Sequence, residues 1–496
     1  MTFKFACIIL FIWCALCKPG TVAAQMGIGL ADRPILYSTE DSNSPIDTTR
    51  LYTPTDTARL FIIKDITVEG NKYTRTATIL REVSFYKGHG YSLPLLVKKF
   101  AQAKKQLLNT ALFHEVIVSL KSLEGYNAFV NIEVRERWYI FPVPFVKTVD
   151  RSFGEWVKDQ NMDMNRVNYG IRIKHHNATG RNDKLTLYFM NGYTKQFSLE
   201  YKGLILDRKQ QWTSNLGMSV GKNKQLDYVT IGNKRQFFKS DQSFVHSFFN
   251  SYLEFSYRKA IKTKHTFGVS YQSFSVPDTI LTLNPSFSPN RKSTVQYPEL
   301  YYNLSHFNVD YIPFPIKGYI GEISLRRKGI GTPMNLWQLT AKGSGMWQLS
   351  DKYFFNLRAG GGIKLPFKQQ PYINTQFIGW NDMFLQGYEY YVVNGVAGGY
   401  TKASFSRELI NTNFHIPSGK VKKLNSIPFR MYAKVYGNAG YAYNPEPGDN
   451  MLCNRMLYSA GVGLDMVTFY DFIIRVEWSF NQLGQNDIYL HRKNYF

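Results

Sequence analysis

Phe472-Ile473-Ile474-Arg475-Val476-Glu477-Trp478-Ser479-Phe480 is the stretch whose reading decides the fold. Phe472, Ile474, Val476, Trp478 and Phe480 alternate with Ile473, Arg475, Glu477 and Ser479. Successive strand residues point to opposite faces, so one face here is continuously apolar while the other carries charge. The pattern recurs. Phe197, Leu199 and Tyr201 alternate with Ser198, Glu200 and Lys202, and Leu253, Phe255 and Tyr257 with Tyr252, Glu254 and Ser256. Segments of about ten residues, apolar outside and polar inside with aromatics near their ends, are the pattern of a transmembrane β-barrel. A soluble β-sandwich alternates as well. It does not normally need so many aromatics, such long segments, or charges repeated strand after strand.

Read outward from this stretch, helix-free alternation begins at Trp138. Strand starts fall near residues 138, 166, 183, 195, 211, 243, 263, 294, 317, 335, 352, 396, 427, 456, 470 and 487. That gives an even number of strands, as single-chain bacterial barrels require. Composition agrees with the barrel: 16% of the chain is aromatic, dominated by 36 Phe and 34 Tyr. The formal charge of +24 favours an anionic surface. Lipopolysaccharide or phospholipid head groups fit, and the same Lys and Arg also suit solvated loops or a polar lumen.

The N-terminus reads as a secretory signal over residues 1–24. Lys4 is the n-region, Ala6 to Leu16 a short apolar core, and Val22-Ala23-Ala24 a small-residue cleavage site. Export excludes nucleic acid as a partner. Cys7, Cys14 and Cys17 lie in the signal, which leaves Cys453 and no internal disulfide framework. Residues 25–59 are polar and turn-rich and read as a flexible periplasmic lead-in.

Residues 60–137 read as a small α+β domain. Phe61 to Val68 is an apolar strand followed by a Glu69-Gly70-Asn71 turn. Thr76 to Val83 is a helix. Ser92 and Pro94 start another, whose Leu96, Phe100, Ala103, Leu107 and Leu108 share one face. Two alternating strands follow, around Val116 to Leu120 and Phe129 to Val134, giving the order strand, helix, helix, strand, strand. Ile66-Thr67-Val68-Glu69-Gly70-Asn71, Ile79-Leu80-Arg81-Glu82, Gly88, Leu112-Phe113-His114-Glu115-Val116 and Ile132-Glu133-Val134-Arg135-Glu136 resemble a POTRA domain, the polypeptide-transport-associated module. A POTRA edge strand can take up an extended client by strand addition.

One such domain before a 16-stranded barrel resembles the outer-membrane assembly and transport superfamily, whose members include the BamA and TamA insertases and the two-partner secretion transporters. The fold class is thus mainly β: a transmembrane antiparallel β-barrel over residues 138–496, preceded by one POTRA domain. Between the eleventh and twelfth strands lies a long aromatic loop, residues 367–395, too long for an ordinary connection and too aromatic for disorder. The resemblance places this loop in the lumen with a Val-Arg-Gly-Phe or Tyr motif, matched here by Leu385-Gln386-Gly387-Tyr388. The family arginine docks on inward acids of the next two strands. Glu408 stands for the first; Asn438, in Asn438-Ala439-Gly440, replaces the second. The expectation is therefore an amide pair between Gln386 and Asn438, which leaves no lone charge in the lumen.

A second candidate place is the seam between first and last strands. Pro142 and Pro144 cannot donate to a ladder, and the last strand ends in the aromatic Phe496 with poor alternation. A weak seam would suit a lateral gate that templates a client strand. Other sites do not rise. His175-His176 lacks a third ligand, and the two rings point to opposite faces. Gly360-Gly361-Gly362 marks a bend, and no Gly-x-Ser-x-Gly elbow or P-loop occurs. No enzyme, metal or cofactor is expected. The resemblance implies a factor in the outer membrane of a Gram-negative bacterium, with its POTRA in the periplasm. Unfolded outer-membrane or secreted client proteins are the expected partners, with outer-membrane lipids and accessory lipoproteins admitted. The alternatives are a secretion pore for one partner protein and, further off, an outer-membrane lipid hydrolase.

Overall fold

The computed structural model describes residues 59–149, 161–207, 209–240, 242–258, 261–331, 334–380, 383–415, 426–468 and 472–491. The expected signal, the expected lead-in up to residue 58 and Phe496 lie outside the described residues.

The first domain contains β1 (Leu60–Glu69), α1 (Thr76–Arg81), β2 (Gly90–Ser92), α2 (Leu93–Asn109), β3 (Phe113–Glu124) and β4 (Asn127–Glu136). Its sheet runs β2-β1-β4-β3, with β1 parallel to β4. The short β2 is an element the sequence order had not separated from the helix after it. One face of the sheet packs on the helices. Ile63, Ile79, Leu96, Ala103, Leu107, Val130 and Ile132 are each at most 1% exposed. The apolar stripe of α2 faces this core, and Ser92 and Pro94 sit at its start. Gly70 turns the chain with φ of +86°, where a Cβ would collide with the Val134 carbonyl.

The second part is one 16-stranded antiparallel sheet. Its strands are β5 (Ile140–Thr148), β6 (Val167–His176), β7 (Lys184–Gly192), β8 (Thr194–Ile205) and β9 (Trp212–Asn223). After a separate hairpin, β10 (Gln225–Ile231) and β11 (Lys234–Lys239), come β12 (His246–Tyr257) and β13 (Thr263–Ser275). Then follow α3 (Asp278–Leu283), β14 (Thr294–Val309), β15 (Gly318–Lys328), β16 (Leu336–Gln348) and β17 (Tyr353–Leu365). The long loop carries α4 (Tyr372–Thr375), β18 (Gln376–Ile378) and β19 (Val393–Asn394). The sheet resumes with β20 (Ala397–His415), β21 (Ser426–Tyr443), β22 (Leu457–Val467), β23 (Ile473–Asn481) and β24 (Asn486–His491). Each sheet strand pairs with its neighbours in sequence order.

Outward residues are large and apolar and remain exposed on the molecule, among them Phe189, Leu253, Phe267, Leu325, Val435 and Trp478. That is the belt a barrel presents to lipid. No helix among the described residues is long and apolar enough to cross a membrane. The hairpin β10–β11 corrects the sequence reading, which passed from β9 straight to the next wall strand. Its turn, Gly232-Asn233, has positive φ at both positions. The tip reaches across the barrel end: the Asn233 amide N–H donates to Asn450, and Asn233 Nδ2 donates to the Val392 carbonyl.

The first domain is fastened to the near rim of the barrel. The carboxylate of Glu82 takes both terminal nitrogens of Arg258, at 2.9 and 3.1 Å. Thr78 Oγ1 donates to the Gly180 carbonyl, and the Arg75 amide donates to the same oxygen. Tyr139, in the link between the two parts, has its hydroxyl 3.0 Å from Thr74 Oγ1.

Candidate functional site

Loop residues 383–394 lie against the inner wall formed by β20 to β24. Leu385 and Tyr388 are 1% and 2% exposed and belong to an apolar cluster with Phe377, Ile378, Val393, Tyr400, Ala442 and Leu457. Such a cluster explains how an aromatic-rich loop is ordered: its rings are buried against the wall. Leu385 sits on Gly440, where a Cβ would come within 2.5 Å of its Cδ1. Gly387 turns the chain with φ of +87°, and Asn481 Nδ2 donates to its carbonyl at 2.7 Å. Tyr388 donates its hydroxyl to the Tyr458 carbonyl at 3.0 Å.

The partner of Gln386 differs from the sequence expectation. Gln386 Nε2 donates to Glu477 Oε1 at 2.7 Å. Asn438 instead donates to Ser459 Oγ, its cross-strand neighbour, at 3.0 Å. Gln386 and Asn438 line the same cavity of about 120 Å³ without forming the expected pair. Glu408 is not the loop's acid either. It lies near the first-domain end of the barrel, where it accepts the Tyr432 hydroxyl and the Asn411 amide. The acid that receives the loop is Glu477, whose side chain is fully buried.

Glu477 is missed by sequence reasoning because its neighbours are set by register. Lys434 on β21, Gly463 on β22 and Glu477 on β23 occupy one rung. A Cβ at Gly463 would meet the side chains of both Lys434 and Glu477 at 3.1 Å. Gly463 thus leaves the gap through which Lys434 Nζ reaches Glu477 Oε1 at 2.6 Å. Lys434 also holds Asp465 at 2.6 Å. Two buried carboxylates around one ammonium and an amide form a compact, largely neutralised network, the condition under which buried charge is tolerated.

The same loop holds the last strand. His491 Nε2 stands 3.3 Å from Glu477 and 3.4 Å from loop residue Glu389. Tyr390 donates to Asp487 at 2.8 Å, and Gln485 donates to the Tyr391 hydroxyl. Phe384 packs beside the His491 ring, and Tyr390 beside Tyr489.

At the seam, β5 and β24 are the two ends of the sheet, and no ladder joins them among the described residues. The hydrogen bonds of β5 fix the direction of its amides. His176 N donates to Tyr139 O at 2.7 Å, and Val149 N donates to Arg166 O at 2.9 Å. The odd-numbered residues of β5 therefore face β6 with their backbone groups, and the even-numbered ones face the free edge. Pro142 and Pro144 stand at two of those edge positions and remove two donors there. Phe496, the third seam residue expected, lies outside the described residues. His175 and His176 sit on opposite faces, and among the described residues no cluster of His, Cys, Asp and Glu could hold a metal ion.

A small domain of this topology, fastened to a large barrel whose loop lies inside its own wall, is the architecture of the BamA- and TamA-like POTRA-plus-barrel proteins, which this chain resembles. Residues 61–137 match the family model POTRA, described as surface antigen variable number repeat, so this segment is a POTRA domain. Among solved structures the chain is similar to CdiB from Escherichia coli, at 11% identity and a TM-score of 0.52, over 87% of this chain and 75% of that one. It is also similar to CdiB from Acinetobacter baumannii (12% identity, TM-score 0.49, 87% and 73% covered). BamA from Haemophilus ducreyi lacking POTRA domains 1-3 is a third (15% identity, TM-score 0.47, 86% and 83% covered). At these identities the likeness concerns the fold, and of these three structures Escherichia coli CdiB carries it. No curated protein matches the chain in sequence.

Proposed function

We propose that this protein is an outer-membrane assembly or translocation factor. Its POTRA domain receives unfolded client polypeptides on the periplasmic side, and its barrel inserts them or passes them on. The observation that carries the reading is the seam. The first strand presents an edge stripped of donors at Pro142 and Pro144, and the last strand, β24, pairs with β23 alone among the described residues and is held by loop side chains. An edge with unmet hydrogen-bonding groups can take a client strand by augmentation. No step requires a nucleotide, because client folding and burial of apolar surface supply the driving force. Gln386, Gly387 and Tyr388 serve as the docking points of the lumen loop, held by Glu477, Asn481 and the Tyr458 carbonyl respectively.

The test is depletion of the protein followed by a quantitative outer-membrane proteome. Loss of many barrel proteins is expected for a general assembly factor. Loss of a single exported protein would instead assign the chain as a secretion pore for one partner. An unchanged proteome would refute both.

A further inference from the structure

The barrel has two unlike inner walls. Under the docked loop, cations and carboxylates are matched, as in the Lys434–Asp465–Glu477 network. The wall made by β6, β7 and β8 is different. Its inward residues include Arg172, Lys174 and His176 on β6, Lys184 on β7 and Lys202 on β8, around an open cavity of about 680 Å³. His176 lies directly opposite Lys184, and Lys184 directly opposite Lys202. Like charges facing each other across a ladder destabilise a sheet. Lys202 has a partner in Glu200 at 3.0 Å, whereas among the described residues Lys184 makes no ion pair. Lys184 facing Lys202 with one carboxylate, Glu200, between them leaves this rung with an electrostatic cost only partly offset.

Beside this rung the wall turns aromatic. Phe145 of β5 stacks on Tyr188 of β7 with ring centroids 5.2 Å apart, and Phe141 packs edge-on against His176. Arg172 and Lys174 on β6 stand two residues apart on one face, so their side chains are roughly 6.6 Å apart along the strand. Carboxylates on alternate residues of an extended polypeptide have the same spacing. A compact phosphate head group would call for donors converging on one point, and these are spread along a line.

We propose that the β6–β8 wall is a binding surface for extended polypeptide segments that are acidic on one face and carry apolar residues on the other. Arg172 and Lys174 along β6, with the adjacent pair Lys184 and Lys202, neutralise the carboxylates, and Phe141, Phe145 and Tyr188 take the apolar side chains. In the cell such segments would belong to clients in transit, so the biological role rests on the proposed function, although the binding surface itself does not.

The experiment uses the full chain in nanodiscs of zwitterionic lipid and measures fluorescence anisotropy of a labelled twelve-residue peptide with alternating Asp. The comparison peptide has Asn at every Asp. The acidic peptide is expected to bind at least about tenfold more tightly and to lose that margin in molar salt. The double substitution Lys184→Gln and Lys202→Gln should remove the margin while raising the melting temperature, because it relieves the like-charge pair. Lys317→Gln with Lys352→Gln, both on exposed residues of the near rim, should do neither. Equal binding of the two peptides, or a double variant that melts lower and binds unchanged, would overturn the proposal. So would a variant that changes only co-purified phospholipid, because the wall would then be a lipid site. Tight acidic-peptide binding with an unchanged proteome on depletion would keep this surface and refute the assembly role.

Discussion

Glu477 shows how much of the site hangs on single side chains. It joins β23 to Lys434 of β21, to Gln386 of the loop and, through His491, to the last strand. Removing one partner of a buried pair costs about 3–5 kcal/mol in general. Asp465 still faces Lys434 in the variant, so Glu477→Ala is expected at the lower end, about 3 kcal/mol. The thermal midpoint should fall, and the loop should become cleavable by added protease near residues 383–391. Glu477→Gln keeps shape and a hydrogen bond and should fall between. If Glu477→Ala melted like the parent with the loop still protected, the network would not be what holds it. The motif Leu385-Gln386-Gly387-Tyr388 was legible through its resemblance to the lumen-loop motif of the assembly superfamily. Its acceptor was not. Asn438 was the residue a motif could nominate, but which side chains share a rung depends on strand register, and Gly463 carries no side chain to advertise the gap it provides.

At the scale of elements, the joint between POTRA and barrel is held by polar contacts, among them an ion pair and a buried tyrosine. The ion pair of Glu82 with Arg258 is bidentate, and the Glu82 side chain is 3% exposed against 33% for Arg258. Glu82→Ala removes the carboxylate shared by Arg258 and Arg81 and leaves the Arg258 guanidinium, among the described residues, only the Ile261 carbonyl, so the POTRA should loosen by about 1–3 kcal/mol. Hydrogen exchange in α1 should rise in that variant while exchange in the barrel strands stays put. Tyr139 makes the same joint sensitive to alkali. Burial pushes its phenol up to about 12, against an ordinary value of about 10. A group whose value is raised by folding contributes stability that is fully present below its unfolded value and is lost as pH rises through the folded one. The joint should therefore hold up to about pH 10 and open between about pH 10 and 12. Tyr139→Phe, which cannot ionise, should flatten that step in a proteolysis assay of the 137–140 link. The helices and strands of the POTRA were legible because their apolar spacing matches their period. The hairpin β10–β11 went unread although Gly232-Asn233 between two alternating runs is a turn signal. Its strands belong to no wall, so a reading that sought the next wall strand passed over them.

At the scale of the whole molecule, the barrel wall is, among the described residues, a sheet with two ends, β5 and β24. Its 16 wall strands were legible to within about three residues at their starts, because lipid on one side and water on the other impose strict alternation. Which edge of β5 the prolines disarm was not, since that depends on which amides the neighbour β6 consumes. With the odd-numbered residues committed to β6, Pro142 and Pro144 both fall on the open edge. Replacing them with donors, Pro142→Val and Pro144→Thr, supplies two N–H groups to that edge and two residues of high strand propensity. Two competing effects follow. A first strand able to ladder with β24 should close the barrel more firmly and raise its melting temperature, at a gain of about 0.5–1.5 kcal/mol for each hydrogen bond made. The same change should occupy the edge a client strand would use, so a strain depending on the variant should accumulate unassembled clients while the protein itself is more stable. Higher stability with lower function is the signature that separates a working seam from a protected edge. Prolines that serve only to keep a bare edge from aggregating would, on replacement, give aggregated protein with no gain in stability.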